Sequence, residues 1–128
     1  MKLLVTGGLG FIGSNFILEV LKNNPNYEIT NVDASLYGSN KMNLSEIENN
    51  NKYKLVTGNI TDKVLMEKLI LKNDIIINFA AESFVDRSIS EAKPFLDSNI
   101  TGVFTILEIL KKYKKKLIHI STDEVFGS

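Results

Sequence analysis

The feature that most constrains this chain is the triplet Gly7, Gly10 and Gly13, set between a short apolar run at residues 2–6 and a stretch at 11–22. That stretch carries Phe11, Ile12, Phe16, Ile17, Val20 and Leu21 at helical spacing. A strand that stops at a glycine and passes at once into an amphipathic helix is set up to return to a parallel neighbour, because parallel pairing needs a crossover of a dozen or more residues. The rest of the chain repeats the alternation. Asn23, Asn24, Pro25 and Asn26 end the first helix, and 27–32 reads as a second strand closing on Asp33. Residues 34–51 are polar and Asn-rich, predicting a loop with one weak helical turn over 43–48, and 54–57 is a third short strand. Thr61 is placed to cap a helix over 62–71 with Val64, Leu65, Leu69 and Ile70 facing inward. Residues 74–81 read as a fourth strand, continuously apolar through Ile75, Ile76 and Ile77, as for a strand covered on both faces. Ser90 is expected to cap the next helix, where Pro94 is tolerated in the first turn, with an inner stripe of Phe95, Asn99, Ile100, Val103, Leu107 and Leu110. Residues 117–121 form a fifth strand. The expected architecture is a doubly wound α/β domain over 1–128, with a parallel sheet in the order 3-2-1-4-5.

Composition removes several classes of function. With 128 residues the chain is long enough to hold a core, and with no cysteine it carries no zinc finger, redox dithiol or thiol nucleophile. The 15 basic and 15 acidic residues cancel, so no long-range field draws it to nucleic acid or an anionic membrane. No apolar run approaches the length of a membrane span and the start reaches glycine too early for a signal peptide, which makes the cytoplasm the expected location. No metal site is expected. Arg87 is the one arginine, and a guanidinium is usually placed for its rigid fork, so this position attracts notice.

Glycines between a strand and a helix allow a tight turn, let the backbone approach a pyrophosphate, and leave a helix N-terminus to stabilise its charge. With Asp33 at the end of the second strand the pattern points to a Rossmann-type dinucleotide site. A carboxylate there accepts from both ribose hydroxyls and repels a 2′-phosphate, favouring NAD over NADP. The plainer readings are a ligand-free glycine turn and a turn-forming aspartate. No Gly-Lys-Ser/Thr follows, which removes a Walker-type phosphate loop.

Three segments carry a resemblance: Gly10-Phe11-Ile12-Gly13, the run from Ala80 through Glu82, Ser83, Phe84 and Arg87 to Ile89, and Ser121-Thr122-Asp123-Glu124-Val125-Phe126-Gly127. Over all 128 residues the chain resembles the extended short-chain dehydrogenase/reductases that act on nucleotide sugars, and within them the amino-terminal part of the 4,6-dehydratases. Thr122-Asp123-Glu124 is the most specific element, since the epimerases of the same family lack the acidic pair. The resemblance implies NAD held by Phe11, Ile12, Asp33, Ala34, Ser35, Leu36, Asn59, Ile60, Phe79, Ala80, Ala81, Glu82, Ser83 and Ser98. It also implies substrate contacts at Ser83 and Thr122, Asp123 as acid and Glu124 as base, dTDP-glucose as substrate, and a homodimer of the whole enzyme. Two residues depart from the family pattern. Asn59 stands where an Asp is usual, and Phe84 where a His is usual.

The implied chemistry oxidises the sugar at C4, eliminates water across C5 and C6, and returns the hydride to C6. Elimination needs one group to take the C5 proton and another to protonate the departing hydroxyl, so two carboxylates must titrate apart as a coupled pair. The family also uses a Tyr-x-x-x-Lys pair. The spacing occurs here at Tyr37 and Lys41, on the adenine side after strand two, whereas the family's pair lies on a helix after strand five. That helix, and the carboxyl-terminal substrate domain, are expected beyond Ser128, so the chain alone is expected to be inactive. Another family member, such as an epimerase or decarboxylase, and a non-catalytic NAD-binding module remain open alternatives. Of the remaining features, His119 reads as a satisfied core residue, Asn99 as a hydrogen-bonded structural residue, and the lysine run from Lys111 to Lys116 as a solvated helix end.

Overall fold

The computed structural model describes residues 1–127, leaving out the side chains of Val85 and Glu124. Five strands, β1 (Lys2–Thr6), β2 (Glu28–Asp33), β3 (Tyr53–Thr57), β4 (Ile75–Asn78) and β5 (Lys116–His119), form one parallel sheet in the order β3-β2-β1-β4-β5. In β1, side chains alternate between two covered faces. Leu4 joins Val32, Met66, Ile70, Ile76, Ile106 and Ile109 on one side, while Leu3 and Val5 join Leu9, Ile17, Ile29, Leu44 and Ile77 on the other. Helix α1 (Phe11–Asn23) covers the second face, and α2 (Lys63–Lys72) with α5 (Val103–Tyr113) covers the first. The expected order and crossovers are those observed. No described helix is long and apolar enough to cross a membrane.

Several boundaries differ from expectation, each for a local reason. Helix α2 is capped by Asp62, whose Oδ1 accepts from Leu65 N at 3.0 Å, because Thr61 is held in a turn by the Asn59 side chain. With α2 starting at Lys63, Met66 faces the core with Leu69 and Ile70, and Val64 points outward. β4 stops at Asn78 and the chain leaves the sheet over Phe79 to Ser83. Ser90 is not a cap: it ends a short helix, α3 (Val85–Ser90), and donates back to the Arg87 carbonyl. Beyond it α4 (Ala92–Phe95) runs into a π-helical segment, Leu96–Gly102, and then α5. Wider π turns rotate the buried face, so Ile106, Ile109 and Leu110 point inward while Ile100 and Leu107 stay exposed. The Asn-rich stretch is anchored: a 3-10 segment, Lys41–Ile47, buries Leu44, and the Leu9 carbonyl accepts from both Asn40 N and Asn43 Nδ2.

Candidate functional site

A cleft of about 950 Å³ opens at the carboxyl ends of the strands, with the glycine turn at its centre. Gly7 has φ +70°, and a Cβ there would lie 2.6 Å from Ala80 N, so the exits of β1 and β4 touch backbone to backbone. Gly13 is fixed by packing, since its Cβ would lie 2.5 Å from the Gly7 carbonyl oxygen. Gly10 differs. Its φ is −73°, the nearest atom to a Cβ is Gly7 O at 3.4 Å, and it lines the cleft as the N-cap of α1, which has no side-chain cap. Among the described residues, no close contact demands glycine at position 10.

Buried Asp33 is already engaged. Oδ2 accepts from Leu9 N at 2.9 Å, and Oδ1 accepts from Ser35 N at 2.8 Å and Ser39 Oγ at 2.9 Å. A carboxylate has about four acceptor sites, so one on Oδ2 remains for a ligand. Behind the turn, buried Asn31 accepts from Gly8 N at 3.0 Å and donates to the Tyr53 hydroxyl at 3.0 Å. Burial pushes the Tyr53 phenol above its usual range, with Asp33's charge adding and the Asn31 hydrogen bond opposing. Asn59 Oδ1 accepts from Thr61 N and Thr61 Oγ1, which leaves only its amide nitrogen to face a ligand.

On the far side, Asn99 holds the loop after β4 as a strand neighbour would: its Oδ1 accepts from Glu82 N and its Nδ2 donates to Glu82 O, both at 2.9 Å. Asn99 is exposed and hydrogen-bonded, and the π-helical segment that carries it also brings Ser98 to the cleft. A polar chain crosses three strand ends. The Thr6 hydroxyl donates to Asn78 Oδ1, and Asn78 Nδ2 lies 3.0 Å from His119 Nδ1. An amide NH₂ only donates, so His119 Nδ1 accepts in this contact. His119 is therefore satisfied but not core: it is exposed and lines the cleft because β5 is an edge strand.

Of the residues anticipated from sequence, Gly7, Gly10, Phe11, Ile12, Gly13, Asp33, Ala34, Leu36, Asn59, Ile60, Phe79, Ala80, Ala81, Glu82, Ser83, Ser98 and Thr122 line this one cleft. Ser35 does not; it takes the left-handed turn, φ +54°, that brings its amide to Asp33. Asp123 is exposed at the start of a 3-10 turn, Asp123–Phe126, with Thr122 Oγ1 3.4 Å from its Oδ1, and the side chain of Glu124 lies outside the described residues. Tyr37, Gly38, Phe84 and His119 also line the cleft without having been assigned to it; sequence singled out Tyr37 for its spacing to Lys41, Phe84 as a departure from a motif and His119 as a core residue, and gave no signal for Gly38.

Known proteins resemble this chain in sequence and in fold. The chain matches the family described as GDP-mannose 4,6 dehydratase over residues 4–128. It is 43% identical over 127 residues to a dTDP-glucose 4,6-dehydratase from Mycobacterium tuberculosis, covering 99% of this chain and 38% of that protein. Two solved structures are also similar. One is dTDP-glucose 4,6-dehydratase from Bacillus anthracis in complex with NAD (TM-score 0.88, 43% identity, 100% of this chain and 39% of that one). The other is DesIV, a dTDP-glucose 4,6-dehydratase from Streptomyces venezuelae with NAD bound (TM-score 0.91, 39% identity, 100% and 41%). The chain thus spans about two-fifths of the length of these relatives. A family pattern that runs from the middle of β1 to the last residue means that this chain belongs to the GDP-mannose 4,6 dehydratase family.

Proposed function

We propose that residues 1–128 form the dinucleotide-binding domain of an NAD-dependent nucleotide-sugar 4,6-dehydratase that converts dTDP-glucose to its 4-keto-6-deoxy product. The observation that carries this reading is a single cleft lined by Gly10 and Asp33 at one end and by Ser83 and Thr122 at the other. The room left at Gly10, beside the uncapped start of α1, fits the close approach of a pyrophosphate. The acceptor site left on Asp33 fits a ribose hydroxyl, and its charge disfavours a 2′-phosphate.

NAD held in this cleft would supply the hydride acceptor for sugar C4 and the hydride donor for C6. The chain's residues do the rest of the work at this end of the site. Ser83 and Thr122 orient the sugar, Glu124 takes the C5 proton, and Asp123 protonates the C6 hydroxyl as it leaves as water. The acceptor for the C4 hydroxyl proton is supplied from elsewhere in the whole protein. Tyr37 is not assigned that role: it sits on the loop after β2, with its ring packed against Phe84 and the Arg87 guanidinium. A second copy of the protein is the expected partner: Leu96, Ile100, Phe104 and Leu107 form an exposed apolar stripe along the helical segment 92–113.

The test is isotopic. The protein carrying this chain, given dTDP-glucose deuterated at C4, should yield a 4-keto-6-deoxy sugar with the label at C6 and solvent hydrogen at C5. Label returned to C4 without loss of water would show an epimerase, and no oxidation at C4 would overturn the reading.

A further inference from the structure

The loops that follow β2 and β4 touch, although β1 lies between those strands in the sheet. Contact between them therefore has to pass over the carboxyl end of β1, where the glycine turn sits. The contact is made by side chains. The rings of Tyr37 and Phe84 meet edge to face, with centroids 4.9 Å apart and an interplanar angle of 83°. The Arg87 guanidinium carbon lies 4.3 Å from the centre of the Tyr37 ring. Gly38, at φ +85°, comes so close that a Cβ there would lie 3.2 Å from the Phe84 ring.

Among the described residues, Arg87 is held by two ion pairs. Its Nη1 lies 3.7 Å from Glu82 Oε2 and its Nη2 lies 3.5 Å from Glu91 Oε2. Glu82 Oε2 and Arg87 Nη1 are both buried without a hydrogen-bond partner among the described residues. Ion pairs of this length leave the guanidinium free to slide, so its stacking on Tyr37 makes a contact that can break and reform. The carboxylate that faces Arg87 belongs to the loop lining the cleft, so movement of the guanidinium is felt on both sides at once.

We propose that Tyr37, Phe84 and Arg87 form a bridge over the glycine turn which must part for a dinucleotide to enter or leave, so that these side chains set how long the cofactor stays. The inference rests on the dinucleotide reading above. It makes Tyr37 and Arg87 positioning residues: a molecule seated along the glycine turn is enclosed between the turn and the bridge. A gate of this kind changes entry and exit together, so rates move more than affinity does.

The experiment is displacement of a fluorescent NAD analogue from the protein that carries this chain, followed by stopped flow. Tyr37→Ala and Arg87→Lys should each raise the dissociation rate roughly tenfold, with a smaller change in Kd because association quickens as well. Tyr37→Phe keeps the ring and should behave as wild type. Dissociation at the wild-type rate in both variants, or a loss of affinity carried by slower association, would overturn the gate. Failure of the wild-type protein to bind NAD would bring down the dinucleotide reading and the gating role with it. The bridge itself is then judged on ligand-free protein by amide exchange: faster exchange over residues 35–40 in Arg87→Lys supports it, and unchanged exchange overturns it.

Discussion

A Cβ at Gly13 would meet backbone on two sides, Gly7 O at 2.5 Å and Gly8 Cα at 2.9 Å, whereas a Cβ at Gly10 would meet nothing closer than 3.4 Å. The two glycines look equivalent in sequence, but the surrounding packing requires only Gly13, while Gly10 is left open for the pyrophosphate contact proposed above. Gly13→Ala is accordingly expected to lower the ligand-free stability by about 1–3 kcal/mol in urea unfolding, as overpacking does. Gly10→Ala should cost less than about 1 kcal/mol of stability, the difference between Gly and Ala at an N-cap, while weakening NAD binding about tenfold or more in calorimetry. Asp33 shows the same limit of sequence reading. Its position at the end of β2 marked it as a ribose acceptor, but its three bonds to Leu9, Ser35 and Ser39 come from residues brought to it by the fold. Such bonds leave no periodicity to read.

At the level of elements, what repeats was legible and what depends on one geometric choice was not. The short apolar runs and the glycine turn mark β1, α1 and the strand order directly, because each reports burial on two faces or a forced reversal. The segment from Val85 to Gly102 was misread because α3 is too short for a periodic signal and the π-helical turns shift the phase on which an inward stripe is judged. Contact between α2 and α5 was equally invisible. There Glu67 accepts from the Tyr113 hydroxyl and pairs with Lys112, and these two, in that order, hold its carboxyl below the usual range. The same contacts, Tyr113 first, push Lys112 up to about 12. A carboxyl whose folded value is lowered adds stability above its unfolded value and loses it as pH falls through the folded one. A lysine whose value is raised keeps its contribution until pH rises through about 12. Wild type should therefore melt above Glu67→Gln at neutral pH. The gap should close on acidification below the ordinary carboxylate range, in melting curves taken over a pH series.

For the molecule as a whole, β5 is the exposed margin. It pairs only with β4 among the described residues, and Ile118 within it and Ile120 just past its end are 41% and 40% exposed. With Phe11, Phe16, Ile77 and Phe79 they line an apolar hollow of about 510 Å³. An open apolar edge of this kind recruits other chains, so the 128-residue chain should self-associate with rising concentration in sedimentation velocity. Ile118→Lys should shift it toward monomer, and a wild type that stays monomeric at high concentration would contradict this. The strand order has a different consequence for how the molecule is assembled. With β1 in the middle, its wall of Asp33 and Leu36 comes from the first winding of the chain, while Ser83, Ser98 and Thr122 arrive only after the chain has returned across β1 and wound the other half. A ligand that touches both walls has no partner in a half-wound intermediate. It pulls by mass action on the finished sheet alone, by about 2.7 kcal/mol when its free concentration is a hundred times Kd, so the dinucleotide proposed above would act as a checkpoint on complete folding.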